Sequence, residues 1–207
     1  ETGIRRVVYA ASSSTYGDHP DLPKTEDKIG KPLSPYAVTK YVNELYASVY
    51  ARTYGLEVIG LRYFNVFGPR QSPNGAYAAA IPLFIQQLRS GTTPTINGDG
   101  SHSRDFTFVA NAVQANLLAL FSENQEALGE VFNIAFGQQT SLLELFETLR
   151  KELKVDINPI FGPERLGDIP HSLANIEKAS RMLGYTPKVS VVEGLRQTVA
   201  WHLSTNQ

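Results

Sequence analysis

The sequence has no cysteine among its 207 residues, which excludes disulfide bonds and thiolate chemistry. It also lacks an excess of either charge, because 19 basic and 20 acidic residues leave a net charge of −1. A nucleic-acid partner held by phosphate neutralisation is therefore not expected. No apolar run reaches the roughly 18 residues of a membrane-spanning helix, so no membrane partner is predicted. A chain without disulfides suits a reducing compartment, and we expect a cytoplasmic protein.

The residues that are present have the composition of a folded domain, with an apolar fraction of 42%. Short β-branched runs predict buried strands at 6–11, 58–61 and 131–134. Ser34 and Pro35 predict the start of a helix that ends near Tyr54, where Gly55 stops it. Further helices are predicted at about 76–90, 112–121, 142–153, 175–183 and 191–203, and residues 97–100 predict a hairpin-like turn. The alternation of strands and helices predicts an α/β fold with a parallel sheet covered by helices.

One pair of side chains suggests proton transfer. Tyr36 and Lys40 are four residues apart on the predicted helix, so they share one face. A Lys ammonium close to a phenol favours the phenolate, and such a Tyr can take or give a proton at a sugar hydroxyl. The spacing alone is a weak signal, and a solvated helix face is the alternative. A serine cluster, Ser12 to Ser14, follows the first predicted strand, where ligands bind in open α/β sheets, although a plain polar turn is also compatible with it.

Four motifs in order along the chain then carry a resemblance to a known family. They are Ala11-Ser12-Ser13-Ser14-Thr15-Tyr16-Gly17, Ser34-Pro35-Tyr36-Ala37-Val38-Thr39-Lys40, Leu61-Arg62-Tyr63-Phe64-Asn65-Val66-Phe67-Gly68-Pro69 and Gly98-Asp99-Gly100-Ser101-His102-Ser103-Arg104-Asp105-Phe106. Together they resemble the extended short-chain dehydrogenases/reductases, in the nucleotide-sugar epimerase and dehydratase group. The sequence is most similar to bacterial UDP-N-acetylglucosamine 4-epimerases, of the kind that feed surface-polysaccharide synthesis.

The resemblance implies catalytic and cofactor-binding roles for four residues. The catalytic hydroxyl falls on Ser12, and Tyr36 becomes the general base and acid. Lys40 is implied to orient the nicotinamide ribose of NAD and to tune Tyr36. Tyr63 falls where the family touches the nicotinamide end of the cofactor. No metal is implied.

The resemblance also implies a set of substrate-binding residues. They are Ser13, Ser14, Asn65, Gln71, Arg104, Arg165, Asp168 and Ser172. An arginine fork suits a diphosphate and a carboxylate suits a ribose diol, so Arg104 and Arg165 are expected on the phosphates and Asp168 on the uridine ribose. Without the family, surface ion pairs of Arg104 with Asp105 and of Arg165 with Glu164 are the alternatives.

The Gly-rich turn by which the family holds the NAD pyrophosphate is missing from these 207 residues. The implied fold is therefore the C-terminal half of a Rossmann-type parallel sheet plus a small substrate-binding lobe, without the N-terminal half of the cofactor domain. We expect residues 1–70 and 109–135 to belong to the cofactor domain, and 71–108 and 136–207 mainly to the lobe. We also expect the chain alone to be inactive, to expose a sheet edge near Val7, Val8, Val58 and Ile59, and to self-associate. The complete enzyme is expected to be a homodimer.

The reaction implied is NAD-dependent C4 epimerisation of UDP-N-acetylglucosamine and UDP-N-acetylgalactosamine through a 4-keto sugar. Dehydratases of the group carry an acidic pair where this chain has Ser13 and Ser14, which cannot protonate a leaving hydroxyl near neutral pH. Ser172 falls beside the sugar's 2-substituent in the family, and its small side chain leaves room for an acetamido group, unless it merely caps the following turn. The alternatives are another UDP-hexose or UDP-glucuronate 4-epimerase, or a non-catalytic half-domain that needs a partner chain.

Overall fold

The computed structural model describes residues 3–74, 79–164 and 169–205. Its strands are β1 (Arg6–Ser12), β2 (Glu57–Tyr63), β3 (Val66–Phe67), β4 (Thr95–Asn97), β5 (Ser103–Asp105), β6 (Thr107–Phe108), β7 (Val131–Ile134), β8 (Gln139–Ser141) and β9 (Ile160–Gly162). Its helices are α1 (Pro35–Tyr54), α2 (Ala80–Arg89), α3 (Val109–Leu120), α4 (Leu142–Leu153), α5 (Glu177–Leu183) and α6 (Val191–Ser204). Two short 3₁₀ turns cover Ser13–Tyr16 and Gln125–Ala127. Within the described ranges, none of these helices is long and apolar enough to cross a bilayer.

A parallel sheet of three strands, in the order β1-β2-β7, organises the first part of the fold. The register pairs Ser12 with Tyr63 and Tyr63 with Ile134. All three strands therefore end at the same edge of the sheet, and the residues that follow them meet there. The predicted α/β fold with a parallel sheet is confirmed.

The burial of the strands differs from the sequence expectation. Val58 and Ile59 are buried, although we expected them near an exposed edge, because β2 is the central strand and α1 and α3 both pack on it. Val7 on β1 is 38% exposed, which fits the exposed edge expected near it but not the buried strand predicted at 6–11. In the described part of the chain β1 pairs with β2 alone, so it forms the sheet's outer strand.

Helix α1 has the predicted bounds. The Ser34 side chain accepts a hydrogen bond from the Ala37 N–H, and Pro35 occupies the first helical position. Gly55 ends the helix at a φ of 65°, in the left-handed region that glycine adopts without strain. The same logic fits α4, predicted at about 142–153, where Ser141 and Glu144 form a capping box at the start of the helix.

A second region packs beside the sheet around its own apolar core. Its cluster joins α2, α4 and α6 through Phe67, Ile81, Phe84, Ile85, Leu88, Ile96, Phe106, Phe108, Leu145, Phe146, Leu149, Val191, Leu195 and Val199. We call this the helical region, and β1, β2 and β7 with their covering helices the sheet region. The turn predicted at 97–100 is present, but its flanking strands do not pair with each other as in a hairpin, because β4 pairs with β9 and β5 pairs with β8. After the turn the chain continues into β5, whose partner is β8 and not β4.

Two further differences concern helices α2 and α5. Helix α2 begins at Ala80, and residues 76–78 of the helix predicted at about 76–90 lie outside the described residues. Pro82 therefore falls in the first turn of α2, where its missing N–H costs no hydrogen bond. Helix α5 and Tyr185, which we assigned to the lobe, pack in the sheet cluster with Ile59 and Phe132. The division into two domains stays a prediction.

Candidate active site at the carboxyl ends of the sheet

The serine cluster leaves β1 as a 3₁₀ turn with internal hydrogen bonds. The Oγ of Ser12 accepts from the Ser14 N–H at 3.2 Å and from the Ser14 hydroxyl at 2.9 Å. The turn ends at Gly17, which has a φ of 55°, and a Cβ there would lie 1.9 Å from the Lys31 carbonyl oxygen. Glycine is therefore required at the end of the motif, and the three serines are held at the carboxyl edge of the sheet.

The Tyr36–Lys40 pair lies beside this turn on the first two turns of α1. The Lys40 ammonium is 5.7 Å from the centre of the Tyr36 ring. It also donates a hydrogen bond of 3.1 Å to the carbonyl oxygen of Ala10, two residues before Ser12 on β1. Tyr36 is 48% exposed. The structure thus brings the Tyr36 ring and the Lys40 ammonium close together, and a hydrogen bond holds the ammonium against β1, the strand that ends in Ser12.

Tyr63, the last residue of β2, lies next to Ser12 in the sheet register. Its hydroxyl is 3.0 Å from the side-chain oxygen and 2.7 Å from the side-chain nitrogen of Asn116 on α3. Burial raises the pKa of Tyr63, so this phenol stays protonated. Its predicted contact with the nicotinamide end of NAD stays a prediction.

A cavity of about 520 Å³ opens beside the serine turn and collects most of the predicted substrate residues. Its lining includes Ser13, Ser14, Asn65, Arg104 and Ser172. Ser34 and Ala37, on the first turn of α1, also line it, so it lies next to the helix end that carries Tyr36. Residues from the serine turn after β1, from the start of α1, from β5 and from the 169–172 segment therefore converge on one space, although they are far apart in sequence.

A second cavity, of about 260 Å³, shares Asn65 and Arg104 with the first. Its other walls are largely apolar and come from the helical region, among them Phe67, Ile81, Phe84, Ile96 and Phe106. Arg104 donates to the carbonyl oxygens of Ser103 and Pro170 at 2.9 and 3.1 Å. These bonds place the Arg104 guanidinium between the larger, polar cavity and the smaller, apolar one.

The remaining predicted residues are placed differently. Gln71 donates to the Val66 carbonyl oxygen at 3.1 Å and is not among the lining residues of the larger cavity. Ser172 lines that cavity and its N–H bonds the Ser103 carbonyl, whereas the next helix is capped at Ile176. Ser172 therefore does not cap that helix. Arg165 and Asp168 lie outside the described residues.

Asp105 follows Arg104 on β5 and is fully buried. Its carboxylate accepts N–H hydrogen bonds from Phe136, Gly137 and Ala174 at 3.1 to 3.2 Å. Burial raises the pKa of Asp105 to about 6, and the backbone hydrogen bonds oppose that rise. The carboxylate therefore joins β5 to the segments after β7 and before α5.

Among the lining residues of the larger cavity that sequence reasoning missed are Lys24 and His171. Lys24 is buried, donates to the His19 carbonyl oxygen, and has a pKa lowered by burial. His171 Nδ1 is 2.9 Å from the Ser103 hydroxyl. Both reach the cavity through loops, so no spacing in the sequence points to them.

A buried ion pair was also missed. Arg62 on β2 binds Glu44 on α1 through two hydrogen bonds, Nε to Oε1 at 2.9 Å and Nη2 to Oε2 at 2.7 Å. Both side chains are almost completely buried. A charged residue directly after the apolar run 58–61 was the available signal, because a buried arginine needs a buried partner.

Comparisons with known proteins show which family the chain belongs to. Residues 1–135 match the sequence profile of the NAD dependent epimerase/dehydratase family. A putative UDP-glucose 4-epimerase of Methanocaldococcus jannaschii is 38% identical over 205 residues, which are 99% of this chain and 65% of that relative. The UDP-N-acetylglucosamine 4-epimerase of Methanobrevibacter ruminantium, solved in complex with UDP-N-acetylmuramic acid, superposes with a TM-score of 0.91 at 41% identity, covering 97% of this chain and 63% of that one.

A third similar structure is the UDP-glucuronic acid 4-epimerase of Bacillus cereus in complex with UDP-glucuronic acid and NAD. It has a TM-score of 0.87 and 33% identity, and the match covers 96% of this chain and 62% of that one. The chain thus spans just under two thirds of the length of these relatives.

Proposed function

The chain belongs to the NAD-dependent epimerase/dehydratase family, and on that premise we propose that the protein containing it interconverts UDP-N-acetylglucosamine and UDP-N-acetylgalactosamine by inverting C4. One observation carries the proposal. The serine turn, the start of the Tyr36 helix, Arg104 and Ser172 converge on one cavity at the carboxyl edge of the sheet. Arg104 offers an anion-binding group inside the cavity, and the helix start that borders it carries Tyr36 and Lys40, so a nucleotide-sugar bound there would lie beside the proposed proton-transfer groups.

The two cavities suit the two ends of a UDP-sugar. The apolar walls of the smaller one fit a flat base, and Arg104, shared by both, fits the diphosphate between base and sugar. The larger cavity then receives the hexose beside Ser13, Ser14 and Ser172. Solved relatives hold UDP-glucose and UDP-glucuronic acid, which supports a UDP-sugar here.

NAD is the cofactor that the family implies, and the residues present fit its nicotinamide end. An ammonium carries three N–H donors, and the bond of Lys40 to Ala10 uses one of them, which leaves donors for ribose hydroxyls. Tyr36 and Lys40 would hold that end beside Ser12. When bound, NAD supplies a hydride acceptor that returns the hydride to the sugar. The pyrophosphate turn is absent from the 207 residues.

The chain's own residues divide the proton work. The Tyr36 phenolic oxygen takes the proton from the 4-hydroxyl of the sugar and later returns it, with the Lys40 ammonium stabilising the phenolate. The Ser12 oxygen already accepts from the Ser14 hydroxyl, so its own proton is available to donate toward the sugar oxygen or Tyr36. Ser13 and Ser14 offer no acid for dehydration, so proton transfer at O4 is what this site supports.

The choice of the acetylated sugars rests on Ser172. Its small side chain lines the larger cavity with Ser13 and Ser14, which leaves space for an acetamido group. UDP-glucose and UDP-glucuronate 4-epimerases are the alternatives, since relatives with those names match the chain. Turnover of a panel of UDP-hexoses by the full-length protein tests the proposal. A preference for UDP-glucose or UDP-glucuronate over both acetylated sugars would contradict it.

We also propose that the 207-residue polypeptide alone binds NAD weakly and has no epimerase activity, because it holds the nicotinamide-side residues without the pyrophosphate turn. Calorimetric titration with NAD tests this, and micromolar affinity would refute it. Normal epimerisation by the polypeptide would refute it as well. If a full-length protein were also inactive, the alternative of a non-catalytic half-domain would be favoured.

The homodimer of the complete enzyme stays a prediction. The exposed side chains of Tyr46, Tyr50 and Tyr54 on one side of α1 support it.

A further inference from the structure

The Glu44–Arg62 ion pair joins helix α1, which carries Tyr36 and Lys40, to strand β2, and it contacts the 3₁₀ turn that follows Ser12. We propose that these two are positioning residues that hold Tyr36, Lys40 and the Ser12–Ser14 turn in one arrangement. The inference rests on the proposed function, because positioning matters only if those groups transfer protons. Neither residue lines the larger cavity, and their charged groups are buried and bound to each other, so they would act through the groups that they hold and not on the substrate.

The geometry of the pair fixes α1 against the central strand. The guanidinium of Arg62 meets both carboxylate oxygens of Glu44, at 2.9 and 2.7 Å. A two-bond fork of this kind restricts direction as well as distance. Helix α1 therefore cannot rotate or slide on β2 without breaking both bonds in a buried space.

The position of Glu44 on α1 transmits this restriction to the candidate pair. Tyr36, Lys40 and Glu44 follow each other at four-residue intervals, so they lie close to one helix face, about 12 Å from first to last. Glu44 is bound to β2 and Lys40 to the Ala10 carbonyl of β1. Two successive attachments to adjacent strands thus fix where the next turn, with Tyr36, must lie.

The same ion pair also contacts the 3₁₀ turn that follows Ser12. The Thr15 hydroxyl is 3.5 Å from Glu44 Oε1, and the Arg62 guanidinium carbon is 4.9 Å from the centre of the Tyr16 ring. The Tyr16 hydroxyl donates in turn to Asn133 on β7 at 2.6 Å. Thr15 and Tyr16 are the last two residues of the 3₁₀ turn capped by Ser12. One ion pair therefore contacts both elements whose relative placement sets the distance between Ser12 and Tyr36.

Stability alone is a poor reason for such a pair. Taking two charges out of water cancels most of their attraction, and well-packed apolar residues of similar volume often stabilise a fold as well or better. An apolar pair, however, has no preferred direction and allows small rotations of the helix. Replacing the ion pair by an apolar pair should therefore keep the stability of the fold but lose the fixed orientation of α1, and this distinguishes a positioning role from a stabilising one.

The test compares variants of the full-length protein. Glu44→Gln, Arg62→Lys and the apolar double variant Glu44→Leu/Arg62→Met are expected to lower kcat about 10- to 100-fold, since a misplacement near 1 Å can cost that much. KM for the UDP-sugar is expected to change less than about threefold, because Arg104 and Ser172 are untouched. The apolar double variant should keep a thermal midpoint near that of the wild type.

Glu57→Gln is the matched control. It removes the charge from the Arg6–Glu57 pair, with contacts of 2.9 and 2.8 Å, which joins the amino ends of β1 and β2, away from the candidate groups. We expect its kcat to equal that of the wild type. An equal loss of kcat in Glu57→Gln and Glu44→Gln would overturn the proposal, and so would normal kcat in a folded apolar double variant. If the double variant fails to fold, the charge-conserving Arg62→Lys decides.

Hydrogen exchange of the 35–44 amides gives a readout that does not depend on turnover. Positioning predicts faster exchange there in Glu44→Gln and Arg62→Lys, but not in Glu57→Gln. Unchanged exchange in both would overturn the proposal. Absence of epimerase activity in the wild-type full-length protein would instead refute the proposed function, and the exchange comparison would still decide whether the pair positions α1.

Discussion

The sheet region and the helical region present their candidate groups on different supports. Ser12, Tyr36 and Lys40 lie on the end of a strand and the first turns of a 20-residue helix, with a buried polar network beneath them. Arg104 and Ser172 are held by short strands and carbonyl hydrogen bonds beside an apolar core. Groups that move protons must be placed accurately, whereas groups that bind a flexible diphosphate can adapt. Changes in the sheet region should therefore lower kcat, and changes on the other side of the cavity should alter substrate choice.

The largest expected effect is that of Tyr36→Phe in the full-length protein. It removes only the phenolic oxygen, so the fold should stay and turnover should fall by about 10²- to 10⁴-fold, the usual worth of a general acid or base. Ser12→Ala should cost less, because water can replace part of a relay hydroxyl. Steady-state kinetics measure both. The control is Tyr46→Phe on the exposed side of the same helix, and near-normal turnover of Tyr36→Phe would show that another group transfers the proton.

Ser172→Tyr tests the other side of the comparison. A phenol filling the space beside Ser13 and Ser14 should lower kcat/KM for the acetylated UDP-sugars relative to UDP-glucose by about 10- to 100-fold, since overpacking a filled space typically costs 1–3 kcal/mol. Ser172→Ala keeps the space and should change this ratio little. An equal loss on both kinds of sugar would mean that Ser172 supports the fold.

The same contrast explains how far the sequence could predict the molecule. The bounds of α1 and α4 and the three sheet strands follow from local signals, such as the Ser34 cap, the capping box at Ser141 and β-branched runs. The convergence of Ser13, Arg104 and Ser172 was predicted only through family resemblance, since no local signal joins them.

Other features could not be predicted because they depend on long-range contacts. The partner of β4 is β9, more than 60 residues later, and a turn signal at 97–100 cannot show that. Lys24 reaches the cavity through a loop whose path is set by its bridge to Ala174. No local sequence pattern near β4 or near Lys24 indicates these long-range pairings.

Asp105 lies where the two regions join, and it gives a smaller, pH-dependent effect. Its folded pKa of about 6 is above the ordinary Asp value of about 3.9, so the folded state holds the proton more tightly than the unfolded state. Its contribution to stability is therefore full below about pH 4 and is lost as pH rises through about 6, by up to about 3 kcal/mol.

Asp105→Asn should remove this dependence, because an amide does not titrate. Urea unfolding of both proteins at pH values from 4 to 7 measures it, and the difference between their unfolding free energies should change across that range. The difference cancels the other titrating groups. Parallel pH profiles would show that the Asp105 carboxyl titrates alike in the folded and unfolded chain, and that the joint between the regions is insensitive to its charge.

The smallest expected effect on folding concerns the exposed side of α3 in the sheet region. Val113, Leu117 and Phe121 are 53%, 52% and 73% exposed and follow each other at four-residue intervals. This apolar row should drive self-association of the 207-residue polypeptide. Val113→Glu/Leu117→Lys replaces it with an ion pair of favourable helical spacing, so unfolding free energy should change by about 0.5 kcal/mol or less. Sedimentation velocity at several concentrations should show a shift toward monomer. The matching change on α1 is Val42→Glu/Tyr46→Lys, and comparing the two variants shows which helix forms the contact. Equal association of the wild type and both variants would place the contact elsewhere, on the outer edge of β1 or in the helical region.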